Sequence, residues 1–275
     1  MFHQPADLGE ALAILGRGGC IPLSGGTDVF PALVDRPPVP LLDLSRIAGL
    51  RGISYDNAHI RFGAATTWTD IVRADLPPAF DALKQAAAQV GSIQIQNRAT
   101  IGGNLCNASP AADGVPPLLA LDAEVELASE KGRRVLPLDQ FLRGNRSTAR
   151  AADELLVAVR VPRTIDTARS AFTKLGARKY LVISIVMVAA VVEVQHGMVR
   201  RARLAVGAAS IVARRLRALE RRLAGCAAAT DFADMISDDD LSDLSPIDDV
   251  RATAAYRIDA ARELIVRTLR QAAHA

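Results

Sequence analysis

The chain has 275 residues, half of them apolar and 23% charged, with a formal net charge of +3 at pH 7. That length suits one large domain or two to three smaller ones, and the composition excludes a disordered chain. Acidic and basic residues are interleaved, which excludes the concentrated basic face of a nucleic-acid binder. The longest apolar run, Leu181 to Val192, is too short to cross a bilayer.

Asp7 followed by Glu10 predicts a capped helix carrying Leu12 and Leu15 and ending near Gly16–Gly19. Ile21 to Leu23 reads as a short strand, interrupted by Ser24-Gly25-Gly26-Thr27-Asp28 before Val29–Val34. Pro37, Pro38 and Pro40 then force an extended passage. Ile60, Phe62 and Ala64 alternate as on a half-buried strand, His59 to Ala64. Thr67 to Arg73 and Ala79 to Val90 read as helical, the second with Phe80, Leu83, Ala87 and Val90 on one stripe. Gly91 to Pro117 is rich in Gly, Asn, Thr and Ser and lacks periodicity until Val115. It reads as a long loop, unusual in a compact protein unless it binds something. Val125 and Leu127 mark a strand with Glu130-Lys131-Gly132-Arg133 as its hairpin turn, and Leu155 to Val161 a strand ended by Pro162.

A domain boundary is expected near residues 162–168. Beyond it come Phe172–Lys174, the apolar run 181–192 as a buried strand or helix segment, a turn at His196-Gly197, and a strand through Leu204 and Val206. Val212 to Leu223 reads as an amphipathic helix whose basic residues form a solvated face. Asp238-Asp239-Asp240 reads as an acidic link, and about Asp248 to Leu269 as the final helix.

Cysteines 20, 106 and 226 are far apart, odd in number and without a C-x-x-C pair, which argues against a zinc site, an iron–sulfur cluster or a disulfide framework. Free thiols point to a reducing compartment, and the start MFHQPADLGEAL carries no secretory signal, so a cytoplasmic location is expected. Histidines 3, 59, 196 and 274 are scattered without a metal-ligand pattern, and His59 reads as a polar strand-edge residue. Two segments carry candidate binding chemistry. Adjacent glycines in Ser24–Asp28 permit a nest of N–H groups around a phosphate, with the Thr27 hydroxyl as a further donor. The segment is neither a Walker A loop nor a G-x-G-x-x-G fingerprint, and a plain tight connection accounts for it as readily. Thr100-Ile101-Gly102-Gly103-Asn104, followed by Asn107, Ser109 and Asp113, suits a polyhydroxylated, phosphorylated ligand, or else side chains that satisfy their own irregular backbone.

SGGTDV at 24–29, FGAATTWTDI at 62–71 and IQNRATIGGNLCNASPAADGVPPLLALDAEV at 95–125 carry a resemblance that runs almost end to end. ELLVAVRVP at 154–162, FTKLGARKYLVISIVMVAA at 172–190 and SPIDDVRATAAYRIDAARELI at 245–265 continue it. The chain resembles the FAD-binding medium subunits of the molybdenum hydroxylase family, relatives of carbon monoxide dehydrogenase, nicotine dehydrogenase and xanthine dehydrogenase. The resemblance implies an α+β protein. Its residues 1–165 would form a two-subdomain FAD-binding region of the vanillyl-alcohol-oxidase-like (PCMH) type, split near residue 55. Residues 166–275 would form a C-terminal domain with a three-stranded antiparallel sheet and helices, the run 181–192 in its core.

The resemblance also implies a role and a site. The chain would pass electrons from the [2Fe-2S] clusters of a small partner subunit, fed by a large molybdopterin subunit, through FAD to an external acceptor, in an (αβγ)2 complex. Ser24, Gly25, Gly26, Thr27 and Asp28, with Thr100, Ile101, Gly102, Gly103 and Asn104, would wrap the FAD pyrophosphate, backbone N–H groups being the donors. Asn107, Ser109 and Asp113 would line the phosphate and ribityl portions, and Leu155 and Leu156 would form an apolar stop near the isoalloxazine. Lys174 would sit near the electron-accepting region and stabilise the reduced ring, an ordinary surface lysine being the alternative. Ser24 stands where alanine is usual, and Cys106 reads as a packed side chain rather than a nucleophile. The multi-cysteine insertion of the 4-hydroxybenzoyl-CoA reductase type is absent from this sequence. A stand-alone FAD-dependent oxidase and a flavin-free assembly subunit are the competing readings.

Overall fold

The computed structural model describes residues 2–34, 39–163 and 167–274. Pro37, Pro38 and part of the expected boundary at 162–168 lie outside the described residues. The first forty or so residues alternate short strands and helices: β1 (Phe2–His3), α1 (Leu8–Gly16), β2 (Ile21–Leu23), α2 (Val29–Ala32) and β3 (Leu41–Asp43). Asp7 caps α1 by accepting from the Glu10 N–H at 2.9 Å, and Glu10 reaches back to the Ala6 N–H. The three strands form a parallel sheet in the order β1-β3-β2, and α1 packs its Ala11, Leu12 and Leu15 against Leu42 and Leu44. Val29–Ala32 continues as a helical turn rather than as strand.

A five-stranded antiparallel sheet in the order β4-β5-β10-β6-β7 follows, built from β4 (Ile53–Tyr55), β5 (His59–Gly63), β6 (Glu124–Ser129), β7 (Gly132–Pro137) and β10 (Leu155–Pro162). Between β5 and β6 the chain folds into α3 (Trp68–Arg73), α4 (Asp81–Ala87), α5 (Ile93–Gln96), α6 (Ile101–Asn107) and α7 (Val115–Ala120). The stretch 91–117 is therefore not a loop. Its helices have four to seven residues and low-propensity Gly and Asn, so no periodicity develops, and caps and packing sustain them instead. After β7 come α8 (Leu138–Phe141) and the small hairpin β8 (Leu142–Gly144) and β9 (Ser147–Thr148). A bulge between Leu156 and Ala158 shifts the alternation of β10 by one residue, so Val159 and Val161 join Leu156 on the face toward α3–α7, while Leu155 and Val157 face α1.

The C-terminal sheet, in the order β11-β12-β13-β14, is antiparallel: β11 (Arg169–Leu175), β12 (Val186–Gln195), β13 (Met198–Gly207) and β14 (Arg214–Arg215). It has three long strands plus a two-residue fourth, one more than expected. Strand β12 is buried on both faces. Met187, Ala189 and Val191 join the core of the five-stranded sheet and its helices, and Val186, Val188, Ala190 and Val192 join the core beneath α10 (Ala254–His274). The apolar run is thus not one element, since Leu181 and Ile183 lie ahead of the strand and are 54% and 59% exposed. The expected helix Val212–Leu223 is split into β14 and α9 (Arg217–Leu223). Its basic face is not wholly solvated: Arg215 is buried, pairing bidentately with Glu220 and reaching Asp122 at 2.7 Å, where Arg203 also docks at 2.7 Å. The last helix starts at Ala254, because Asp249 accepts from the N–H groups of Arg251 and Ala252 and ties off a turn first. Among the described residues, no helix is long and apolar enough to cross a membrane.

The acidic link contributes a buried carboxylate rather than a solvated one. Asp240 is 4% exposed. Burial alone would raise its carboxyl, but the Arg222 guanidinium at 2.6 and 2.8 Å and the Ser237 N–H and hydroxyl hold it below the ordinary range. A depressed folded-state value stabilises the fold above the unfolded carboxylate range, near pH 4. That contribution is lost as pH falls through the folded value. Urea midpoints measured from pH 7 down to pH 3 should therefore drop more steeply for the native chain than for Asp240→Asn, which starts less stable.

Candidate functional site

The two glycine-bearing segments meet across a cleft of about 380 Å³ between the parallel sheet and the α3–α6 layer. The first wall is Ser24–Asp28, the turn that leaves β2. Gly26 sits at φ +77°, a conformation that L side chains avoid. Gly25 is pressed on the backbone before α6: a Cβ there would lie 2.1 Å from the Arg98 carbonyl oxygen. Among the described residues, the backbone N–H groups of Gly25, Gly26, Thr27 and Asp28 find no acceptor. Four donors without a protein acceptor at a cleft wall are available to an anion.

The second wall is α6. Thr100 caps it, accepting from the Gly103 N–H at 3.1 Å. Gly102 lies against β5, where a Cβ would stand 2.7 Å from both the Cβ and the carbonyl oxygen of Ala64. The N–H groups of Ile101, Gly102, Gly103 and Asn104 all have internal acceptors: Thr66 O, Ala64 O, Thr100 Oγ1 and Thr100 O. In this arrangement the helix presents no free N–H nest, unlike the turn opposite. The two walls are pinned by Asn107 Nδ2 donating to Asp28 Oδ1 at 3.0 Å. Trp68 and Asn104 border the cleft, and each keeps a buried polar atom, Nε1 and Oδ1, without a partner among the described residues. Ile21, Val29, Leu33, Val90 and Ile95 supply apolar lining, as do Leu155 and Leu156 at the start of β10.

Of the residues singled out in the sequence, Ser24–Asp28, Thr100, Gly102–Asn104, Asn107, Leu155 and Leu156 line this one cleft. Ile101, Ser109, Asp113 and Lys174 are not in its lining. Ile101 is wholly buried in the core, and Ser109 accepts from the Ala111 N–H in a turn. Asp113 and Lys174 bind each other at 2.5 Å, both nearly closed to water, and the Ser184 hydroxyl donates to the other Asp113 oxygen at 2.6 Å. Burial pushes the Asp113 carboxyl up, against the opposing pull of Lys174 and Ser184. Lys174 thus presents no free charge. The cations that do line the cleft are Arg146 and Arg150, in the loop from β8 to β10. Nothing in the composition of RGNRSTAR at 143–150 marks a binding segment by itself, and Trp68 lies in the stretch read as the helix Thr67–Arg73.

Cys106 also lines the cleft. Its thiol is open to the cleft yet ringed by protein, which pushes its pKa up to about 11 despite the nearby positive charge of Arg150. Among the described residues, no group of three or more His, Cys, Asp or Glu side chains is placed to hold a metal ion.

Residues 1–164 match the sequence model of the FAD-binding domain in molybdopterin dehydrogenase, and residues 170–272 that of the CO dehydrogenase flavoprotein C-terminal domain. The chain is 32% identical to a putative xanthine dehydrogenase FAD-binding subunit of Escherichia coli, over 94% of this chain and 90% of that one. It is 30% identical to the carbon monoxide dehydrogenase medium chain of Hydrogenophaga pseudoflava, over 98% and 96%. Its fold superposes on a chain of a Cu,Mo-CO dehydrogenase structure with a TM-score of 0.92 at 26% identity, covering 99% of this chain and 96% of the other. For quinoline 2-oxidoreductase from Pseudomonas putida the TM-score is 0.88 at 26% identity, with 99% and 96% covered.

The buried pair behind the cleft has a measurable consequence. Lys174→Met leaves Asp113 with only Ser184, and losing one member of a buried ion pair costs about 3–5 kcal/mol. The thermal midpoint should fall sharply, and Lys174→Met combined with Asp113→Leu should recover part of the loss; equal instability of the single and double variants would contradict the pairing.

Proposed function

The chain belongs to the family of FAD-binding medium subunits of the molybdenum hydroxylases, and we propose that its cleft holds FAD and serves electron transfer within a larger assembly. The observation that carries this reading is the row of four unpaired N–H groups at Gly25–Asp28, a neutral donor surface suited to a diphosphate. Around it lie the apolar lining that flat rings require and polar groups at Thr27, Asn104 and Asn107 for ribose and ribityl hydroxyls. The residues present therefore fit the cofactor. Bound there, FAD supplies a two-electron store between the [2Fe-2S] clusters of a small partner, themselves fed by a large molybdopterin partner, and an external acceptor.

This chain's own residues bind, orient and shield; in this proposal none of them acts as acid or base on the hydroxylated substrate. Ser24–Asp28 takes the diphosphate, while α6 serves as a rigid wall whose N–H groups are already spent. Leu155 and Leu156 close the apolar side. Ile101, Ser109, Asp113 and Lys174 back the wall from behind, so an effect of Lys174 on the flavin would pass through Asp113. Residues 1–165 are assigned to FAD binding and 166–275 to the C-terminal domain, with assembly into an (αβγ)2 complex. The three free thiols favour a cytoplasmic setting.

The test is isolation of the tagged full chain from cells under gentle conditions, with flavin, iron and molybdenum analysis. FAD equimolar with the chain, together with iron and molybdenum in fixed proportion, is the expected result. FAD without either metal would favour a stand-alone oxidase, and a colourless chain would favour the flavin-free subunit. Gly103→Val, at a cleft-lining position whose Cβ would stand 2.9 Å from the Thr100 hydroxyl that caps α6, should disturb that cap and lose the flavin while keeping much of the fold. Normal flavin content in the folded variant would contradict the placement.

A further inference from the structure

The cleft has a charge problem that its donors do not solve. FAD brings two negative charges on its diphosphate, and the N–H groups of Gly25–Asp28 offer only partial charges against them. Among the described residues lining the cleft, formal charge is carried by Asp28, Arg146 and Arg150 alone. Asp28 has the wrong sign and is held by Asn107.

Arg150 is anchored on backbone carbonyls rather than on a carboxylate. Its Nη1 donates to two backbone carbonyls, Glu154 O at 2.7 Å and Ala151 O at 3.1 Å, and its own N–H reaches Thr148 Oγ1. Those contacts fix the guanidinium without neutralising it. The neighbouring carboxylate of Glu154 is turned away and taken bidentately by Arg134, at 2.5 and 2.7 Å, with the Ala151 N–H at 2.7 Å. Among the described residues, no carboxylate forms an ion pair with Arg150. Arg150 lines the cleft together with Cys106, in the C-terminal turn of α6. That turn carries Asn107, which reaches the Gly25–Asp28 loop through Asp28. A half-buried, carbonyl-anchored arginine without a carboxylate partner, lining the same cleft as the Gly25–Asp28 donors, is preorganised for an anion.

We propose that Arg150 is the counter-charge for the FAD diphosphate, and so a residue by which this chain selects FAD over flavins that lack a phosphate. The inference rests on the reading of the cleft as an FAD site. It makes Arg150 a binding residue and assigns the electrostatic role in this site to the β8–β10 loop rather than to Lys174.

The test uses the full chain in its purified assembly, stripped of flavin, with binding of FAD and of riboflavin measured by flavin fluorescence for the native protein, Arg150→Gln and Arg150→Lys. Arg150→Gln should weaken FAD binding by roughly tenfold to a hundredfold, the usual range for a charge-assisted hydrogen bond. It should leave riboflavin binding unchanged, which also reports that the cleft is still formed. Arg150→Lys should restore much of the FAD affinity, and added salt should weaken FAD binding less in Arg150→Gln than in the native protein. Equal loss for FAD and riboflavin would mark a structural role and overturn the proposal, as would native FAD affinity in Arg150→Gln. A folded native chain that binds riboflavin and FAD equally, or no FAD at all, would overturn the cofactor reading itself and this inference with it.

Discussion

Everything about the cleft depends on a backbone-to-backbone approach at Gly25. With a Cβ position only 2.1 Å from the Arg98 carbonyl oxygen, no other residue fits unless one of the two segments moves. That contact sets the Ser24–Asp28 turn directly against the peptide that leads into α6. The same device recurs where Gly102 seats the first turn of α6 on Ala64. The glycines are therefore used less as flexible phosphate grips than as places where two chains can touch. The consequence for binding is a division of labour. The turn keeps its N–H groups unspent at the cleft, and the helix opposite spends its own on Thr66, Ala64 and Thr100 to become rigid.

The cleft lies wholly in the first two sheets, yet the C-terminal sheet holds the rear of the site. Ser184 and Lys174, from the third sheet and its loop, close on Asp113 just beyond α6. Further along, Arg203 and Arg215 converge on Asp122, and Arg215 also takes the Leu119 carbonyl at the end of α7. Strand β12, buried on both faces, is the common wall of two cores. The α+β layers are thus bound together by apolar packing across β12, by the buried Asp113–Lys174 pair and by two arginines that converge on the exposed Asp122. For the buried pair, the cost of taking both charges out of water offsets much of their attraction.

Much of this was legible in the sequence where one physical signal dominated. The Asp7–Glu10 cap, the alternation of Ile60 and Phe62, the hairpin at Lys131-Gly132 and the turn at His196-Gly197 each rest on local chemistry and stand in the fold. The stretch 91–117 was misread because helices sustained by tertiary contact leave no periodic trace in so few residues. The basic run ending at Leu223 was misread for the opposite reason. Its spacing looks helical, but Arg214 and Arg215 pair with Ala205 and Val206 as an edge strand, and a long-range partner for Arg215 lies at Asp122. For the site, small polar residues flagged the two walls. The cations that line the cleft, Arg146 and Arg150, belong to a loop whose composition carries no message until its neighbours are known.

The central claim is that the cleft between the Gly25–Asp28 turn and α6 is where FAD sits. Trp68, the only tryptophan in the chain, is buried at its border, and its Nε1 has no partner among the described residues. Titrating FAD into the flavin-stripped assembly while following emission from this chain, with partner tryptophans accounted for by a Trp68→Phe control, tests the claim directly. The account predicts saturable loss of the Trp68 signal at one equivalent of FAD per chain. FAD binding at full stoichiometry with the Trp68 signal unaltered would contradict it.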